Sequence, residues 1–160
     1  MIDETQQQTD ERFMRMAIAE AREAGRRGEV PVGAVIVNNG IVIGRGSNMT
    51  ESLHDVCAHA EILALTAASE HLGGKYLPDA TLYVTLEPCI MCAGALGWSQ
   101  IGRIVWGASD PKRGYRTFCR DDRSPLHPRT LLLAGVLADE CSEIMKEFFR
   151  ARRRPKTPES

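Results

Sequence analysis

The sequence predicts an α/β protein, with a mixed five-stranded sheet flanked by helices in one layered structure. Three observations predict it. Two β-branched runs surround Asn39-Gly40 in "PVGAVIVNNGIVIGRGSN", the pattern of a tight hairpin. Further on, the apolar runs "ATLYVTL", "RIVWGA" and "TLLLAGV" alternate with segments of helical period. A helix first, then a hairpin, then strands separated by helices requires a mixed sheet rather than a purely antiparallel one.

Taken in order, "DERFMRMAIAEAREAGRRG" carries Phe13, Met16, Ala17, Ala21 and Ala24 at helical spacing, with Asp10 expected as the cap and glycines ending the helix. The hairpin follows. "AEILALTAASEHLGGKYL" reads as a second helix stopped at Gly73-Gly74, leading into the strand "ATLYVTL". A short helix is expected after Pro88, a residue suited to the first helical position, over the small apolar stretch "CIMCAGAL". The strand "RIVWGA", a polar Pro- and Arg-rich stretch from Asp110 to Arg129, a strand at "TLLLAGV" and a last helix from about Asp139 complete the chain. There is no internal repeat and no linker. Residues 1–154 are expected to form one domain, and 155–160, "PKTPES", a disordered tail.

Composition narrows the function classes. A chain of 160 residues with 43% hydrophobic content can bury one full core. With 20 basic and 21 acidic residues there is no overall basic field, so any nucleic-acid binding must come from a local patch. The N-terminal "MIDETQQQTDER" lacks a basic-then-apolar signal pattern, and no apolar run approaches the roughly 18 residues of a membrane span. A soluble cytoplasmic protein is expected. Its five cysteines, an odd number in a reducing compartment, point to metal binding or burial rather than to a disulfide framework.

The chemistry concentrates in "CAHAEILAL" (57–65) and "LEPCIMCAGAL" (86–96). In mid-helix His59 and Glu61, two apart, would point in nearly opposite directions, but at a helix start both can arch around an atom lying off the end. Cys89 and Cys92 have the i, i+3 spacing that places two sulfurs on one face of a first turn. Two helix starts can then share one metal, and their positive ends favour the thiolate form that binds zinc. Two thiolates cancel the dication's charge, so a bound water is acidified less than in a three-histidine site and a base is needed nearby. Glu61 is the carboxylate available to take that proton and redeliver it. An H-x-E with P-C-x-x-C and an unligated glutamate is the established signature of the zinc nucleobase deaminases, and the assignment to hydrolytic deamination is a match to it.

Here the sequence becomes specific. "HAE" with "PCIMC" resembles the cytidine and deoxycytidylate deaminase superfamily, and "EVPVGAVIV", "TLYVTLEPCIMCAGAL" and "GVLADEC…EFFRARR" are similar to the bacterial tRNA-specific adenosine deaminase family over roughly positions 12 to 154. The resemblance implies the cytidine-deaminase three-layer α/β/α sandwich, a homodimer, and one zinc ion per subunit on His59, Cys89 and Cys92 with Glu61 as catalytic proton carrier. It implies conversion of the wobble adenosine of a tRNA anticodon loop to inosine. It also gives Asn48 the family's base-reading role, and the backbone of Ala60 a part in holding the base. Family members commonly follow the "GA.D.K" segment with a Gly-Ser stretch and an "NHR"; this chain has "KRGYRTFCRDDRSPLHPRT" instead, so no RNA contact carries over there.

Other readings stand beside this one. Cys57 with His59, Cys89 and Cys92 would make a closed Cys3His structural zinc site, which leaves Glu61 without a role. Asn48 alone reads as a loop residue, Cys119 and Cys141 as small buried or half-buried residues, and His54, His71 and His127 lack ligand spacing. Trp98 and Trp106 read as core or dimer-interface aromatics. "EFFRARRRPK" is either an amphipathic helix with solvated arginines or an RNA-binding helix; the resemblance makes Phe148, Phe149 and Arg150 the RNA-contact candidates. A zinc deaminase of a free base or nucleoside such as guanine or cytosine is the alternative function, and a non-catalytic zinc-stabilised RNA-binding subunit the next. Glu61 speaks against the last. The basic C-terminal helix, with "PVGAV" and "CAGAL", favours the tRNA substrate.

Overall fold

A computed structural model describes residues 4–153. The expected tail, 155–160, lies outside the described residues. The first helix, α1 (Gln6–Arg26), starts a turn before the expected cap: Thr5 receives the Gln8 backbone N–H while the Gln8 side chain receives that of Thr5, a complete capping box. Asp10 is therefore inside the helix. It is 2% exposed and accepts from both terminal guanidinium nitrogens of Arg103 at 2.7 Å, with the Tyr83 hydroxyl donating to it at 2.7 Å. Burial opposes its charge, but these bonds and one from Gln6 hold the carboxyl below its ordinary value.

Five strands form the sheet: β1 (Gly33–Asn38), β2 (Ile41–Ser47), β3 (Ala80–Leu86), β4 (Arg103–Ala108) and β5 (Leu131–Ala134). Their order is β2-β1-β3-β4-β5, with β1 antiparallel to both neighbours and β3, β4 and β5 parallel. Asn39 (φ 52°) and Gly40 (φ 75°) make the hairpin with two left-handed residues, the turn whose twist suits a two-residue loop. The remaining helices are α2 (Ala60–Leu72), α3 (Ile90–Ser99), the short α4 (Tyr115–Phe118) and α5 (Ala138–Arg152).

Both faces of the central strands are buried, and their side chains alternate between two cores. Ala34, Ile36, Leu82, Val84, Ile104 and Trp106 pack under α2 and α3; Val35, Val37, Tyr83 and Val105 pack under α1 and Cys141 of α5. This is the three-layer α/β/α sandwich that the family resemblance implies. Trp106 is core, 1% exposed, whereas Trp98 is 85% exposed and belongs to no core. All four residues of β5, the edge strand of the sheet, are exposed.

The register decides where chemistry can occur. Since β1 runs antiparallel to both β2 and β3, those two strands are parallel to each other, and each leads into a helix, α2 and α3. Both helix N-termini therefore lie at one edge of the sheet, beyond the strand C-termini, where α/β folds place their sites. Gly46 lets α2 lie close on β2: a Cβ there would sit 2.0 Å from the Ala60 carbonyl oxygen.

Candidate active site

His59 is the N-cap of α2, with extended φ and ψ of −76° and 154°, and Cys89 is the N-cap of α3 at −71° and 171°. Pro88 thus precedes the cap instead of occupying the first helical position: its carbonyl accepts the Tyr115 N–H at 2.9 Å, which ties the start of α3 to the segment after β4. His59 Nδ1 lies 3.6 Å from Cys89 Sγ and 3.5 Å from Cys92 Sγ, and the three ligand atoms fall within 4.8 Å of one another. Tetrahedral zinc, with bonds of about 2.3 Å to sulfur and about 2.0–2.1 Å to nitrogen, separates S and N by about 3.6 Å. The three residues fit zinc. Among the described residues no other group of three or more His, Cys, Asp or Glu has this geometry; Cys57 is exposed and stands outside it.

The local electrostatics agree with a cation site. The bond with Cys92, and further bonds with His59 and the Cys92 backbone, hold the Cys89 thiol down to about 4 against burial. Cys92 is pushed up by its bond to Cys89 and by burial, and the His59 imidazole is raised by its bond to Cys89. A dication binds such a group by displacing the protons its donor atoms hold. Glu61, in the first turn of α2, is 4% exposed, and burial pushes its carboxyl up to about 7, with the Cys89 thiolate adding to the shift. A carboxyl at that value can take and return protons near neutral pH.

These groups head a cavity of about 270 Å³ lined also by Val30, Val32, Asn48, Thr50, Ala60, Leu86 and Arg113. The volume suits a nucleobase. Asn48 is 8% exposed; its amide donates to the Val30 carbonyl at 3.2 Å and its Oδ1 accepts the Thr50 N–H at 3.3 Å. One N–H and one lone pair remain for a ligand. Leu86 and Asp110 also line a second groove, of about 530 Å³, floored by Met145 and Phe149 and edged by Lys112, Lys146, Arg150 and Arg153. Phe149 and Arg150 thus line this groove together. Phe148 does not: it packs edge-on against Phe149 and under Arg152, whose guanidinium bonds the Gly28 carbonyl.

Two buried carboxylates escaped the sequence reading. Glu87, 4% exposed, accepts from the Asp110 and Arg116 backbone N–H groups at 3.2 and 3.3 Å and pairs with the Arg116 guanidinium at 3.0 Å, pinning the segment that carries Asp110 and Arg113 to the cavity wall. Glu29, 0% exposed, holds residues 50–52. The signal available for both was an acid abutting an apolar strand, in "GEVPVGAV" and "TLEPC".

The sheet order and the His/Cys/Cys group at two helix starts define a deaminase of the zinc-binding class, and the comparisons agree. Residues 7–108 match the model of the cytidine and deoxycytidylate deaminase zinc-binding region. A tRNA-specific adenosine deaminase of Agrobacterium fabrum is 47% identical over 146 residues, 88% of this chain and 94% of the relative. A solved structure from work on A-to-I editing by tRNA:A34 deaminases at the wobble position of transfer RNA superimposes with a TM-score of 0.76 at 46% identity, covering 83% of this chain and 98% of that one. A guanine deaminase from Nitrosomonas europaea shares the fold, with a TM-score of 0.73 at 24% identity. The chain belongs to the tRNA-specific adenosine deaminase family of the cytidine and deoxycytidylate deaminase superfamily. Among the described residues no helix is long and apolar enough to cross a membrane.

Proposed function

We propose that this chain deaminates the wobble adenosine of a tRNA anticodon loop to inosine, as one zinc-dependent domain spanning 1–154. The observation that carries the substrate is that the two cavities adjoin, sharing Leu86 and Asp110 in their walls. A free base needs only the first, whereas a basic, aromatic groove sharing Leu86 and Asp110 with it offers a neighbouring nucleotide a surface to stack on and its phosphates four cations. The relatives named for tRNA adenosine at 46–47% identity, against 24% for the guanine deaminase, support the same choice.

One zinc ion per subunit would be held by His59, Cys89 and Cys92, and when bound supplies the Lewis acidity that makes water a competent nucleophile at neutral pH. Glu61 would take one proton of the attacking water and pass it to N1 of the adenine as C6 is attacked, then take the remaining proton of the new C6 hydroxyl and deliver it to the amine, which leaves as ammonia as the C6 carbonyl forms. Asn48 and the Ala60 backbone orient the base edge, and the apolar walls Val30, Val32 and Leu86 exclude bulk water. An anticodon-loop base can be splayed into such a cavity at little cost, unlike one stacked in a duplex.

A homodimer in the cytoplasm completes the reading. On α3 the apolar side chains Ile90 and Trp98 are 46% and 85% exposed, a surface that a second copy would cover. The deciding experiment incubates purified protein with an anticodon stem-loop and, separately, with free adenosine, guanine and cytosine. Inosine at the wobble position with little turnover of the free compounds is expected. Efficient deamination of a free base with no activity on any anticodon loop would refute the assignment.

A further inference from the structure

Residues 48–59 join β2 to α2 without helix or strand, and Asn48 stands at their start. Loops of this length open locally unless they are tied down. This one is tied by the short segment between α1 and β1. Arg27 donates to the Ser47 hydroxyl at 2.8 Å and to the Asn48 carbonyl at 3.2 Å, and the Val30 and Val32 carbonyls take the Asn48 side-chain and backbone N–H groups. Bonds within the loop, such as Met49 N–H to the Ala58 carbonyl and Asp55 N–H to the Thr50 carbonyl, fold it on itself, and Glu29 ties its residues 50–52 to that segment. Its carboxylate accepts the Glu51 N–H at 2.9 Å, the Ser52 N–H at 2.8 Å, the Ser52 hydroxyl at 2.6 Å and the Thr50 hydroxyl at 3.5 Å. Burial works against the charge, yet the Ser52 hydroxyl and the two backbone donors outweigh it and hold the carboxyl below its ordinary value.

A fully buried carboxylate is costly to keep, and an apolar side chain could fill the same space. What an apolar side chain could not do is gather the donors of three successive residues onto one point. The loop that results turns back over the cavity: Thr50, which gives its N–H to the Asn48 side chain and its hydroxyl to Glu29, lines the cavity wall beside Asn48. Glu29 and Asn48 are thus joined through a single residue.

We propose that Glu29 is a positioning residue for the reaction: by gathering the donors of residues 50–52 it fixes the Asn48 amide at the angle at which it meets the base. The proposal rests on the reading of the cavity as the adenosine site. It separates two tasks. Glu29 governs how the base is presented to the attacking water, whereas the Phe149 groove governs how tightly the RNA is held. A carboxylate that never touches substrate then controls turnover.

The test is a double-mutant cycle of Glu29→Gln and Asn48→Ala on the zinc-loaded protein with the stem-loop as substrate. Gln keeps the shape but turns two N–H groups toward donors. We expect Glu29→Gln to lower kcat about 10- to 100-fold with KM within about twofold and zinc content unchanged, and the double variant to be no slower than Asn48→Ala alone, within about threefold. Additive losses, or a change confined to KM, overturn the proposal. Should Glu29→Gln fail to fold, Ser52→Ala, which removes only the 2.6 Å bond, takes its place in the cycle with a smaller loss expected. Hydrogen exchange reads the loop independently of the substrate: the Glu51 and Ser52 amides should be protected in the wild type and lose protection in Glu29→Gln, and protection that survives the substitution also overturns the proposal. A wild type that converts free guanine but no stem-loop overturns the substrate reading instead, and the exchange result then decides the positioning claim.

Discussion

Replacing Glu61 with glutamine should abolish turnover while leaving the protein folded and loaded. The perturbation is nearly isosteric at a side chain only 4% exposed, so no cavity opens. Burial already pushes this carboxyl up to about 7, so a neutral amide removes a charge the interior disfavours and the Tm should stay within about 3 °C of the wild type. The ligand atoms of His59, Cys89 and Cys92 gather within 4.8 Å without help from Glu61, so zinc should remain stoichiometric. A general acid–base group typically contributes about 10²- to 10⁴-fold, and here one carboxyl serves successive proton transfers, which places the loss at or beyond about 10⁴-fold. Single-turnover conversion of adenosine to inosine in the stem-loop, with zinc measured on the same sample, is the assay. Turnover within tenfold of the wild type would refute the proton-carrier role, and loss of zinc would show that Glu61 is a ligand.

Cys57→Ser should keep full zinc and most activity, because Cys57 is exposed and outside the ligand group; zinc loss would establish the closed Cys3His site. Asp10→Asn should cost about 3 kcal/mol in urea titrations, since it strips a buried carboxylate from Arg103. Because the Asp10 carboxyl is held below its ordinary value, its contribution is complete above about pH 4 and is lost as pH falls through the depressed value, so the gap between wild type and variant should close in acid; an unchanged gap at about pH 2 contradicts the pairing. Gly46→Ala drives a Cβ against the Ala60 carbonyl, and should cost about 3 kcal/mol and weaken zinc affinity by displacing the helix start that His59 caps; unchanged zinc affinity would refute that link. Arg150→Ala with Arg153→Ala should raise the KM for the stem-loop and flatten its salt slope by about 1 to 2, whereas Arg152→Ala, which removes a guanidinium bonded to Gly28 and stacked on Phe148, should leave the slope unchanged.

Patterns of local period were readable without coordinates. The hairpin at Asn39-Gly40, the helix stopped at Gly73 and the strands over 80–86 and 103–108 all follow from short-range sterics and alternation, and appear where expected. Helix starts were less legible. Thr5 competes with Asp10 for the cap of α1, and only the reciprocal bonds with Gln8, together with the distant Arg103, decide between them. Likewise "TLLLAGV" predicts a strand correctly, but nothing local reveals that its leucines lie on an exposed edge.

By itself the sequence determined the donor set: an H-x-E at one helix start and a P-C-x-x-C at another are dictated by residue type and spacing, and zinc chemistry follows from sulfur, nitrogen and an unligated carboxylate. Tertiary structure alone decided that the two starts meet. Hydrogen bonding across β1 makes β2 and β3 parallel, which sends α2 and α3 out from one sheet edge and brings His59 within 3.6 Å of Cys89, thirty residues away in the chain. It also decided which acids support the site. Glu29 and Glu87 look like surface charges in the sequence, and become the anchors of the cavity walls because the backbone donors that offset their burial come from segments more than twenty residues away.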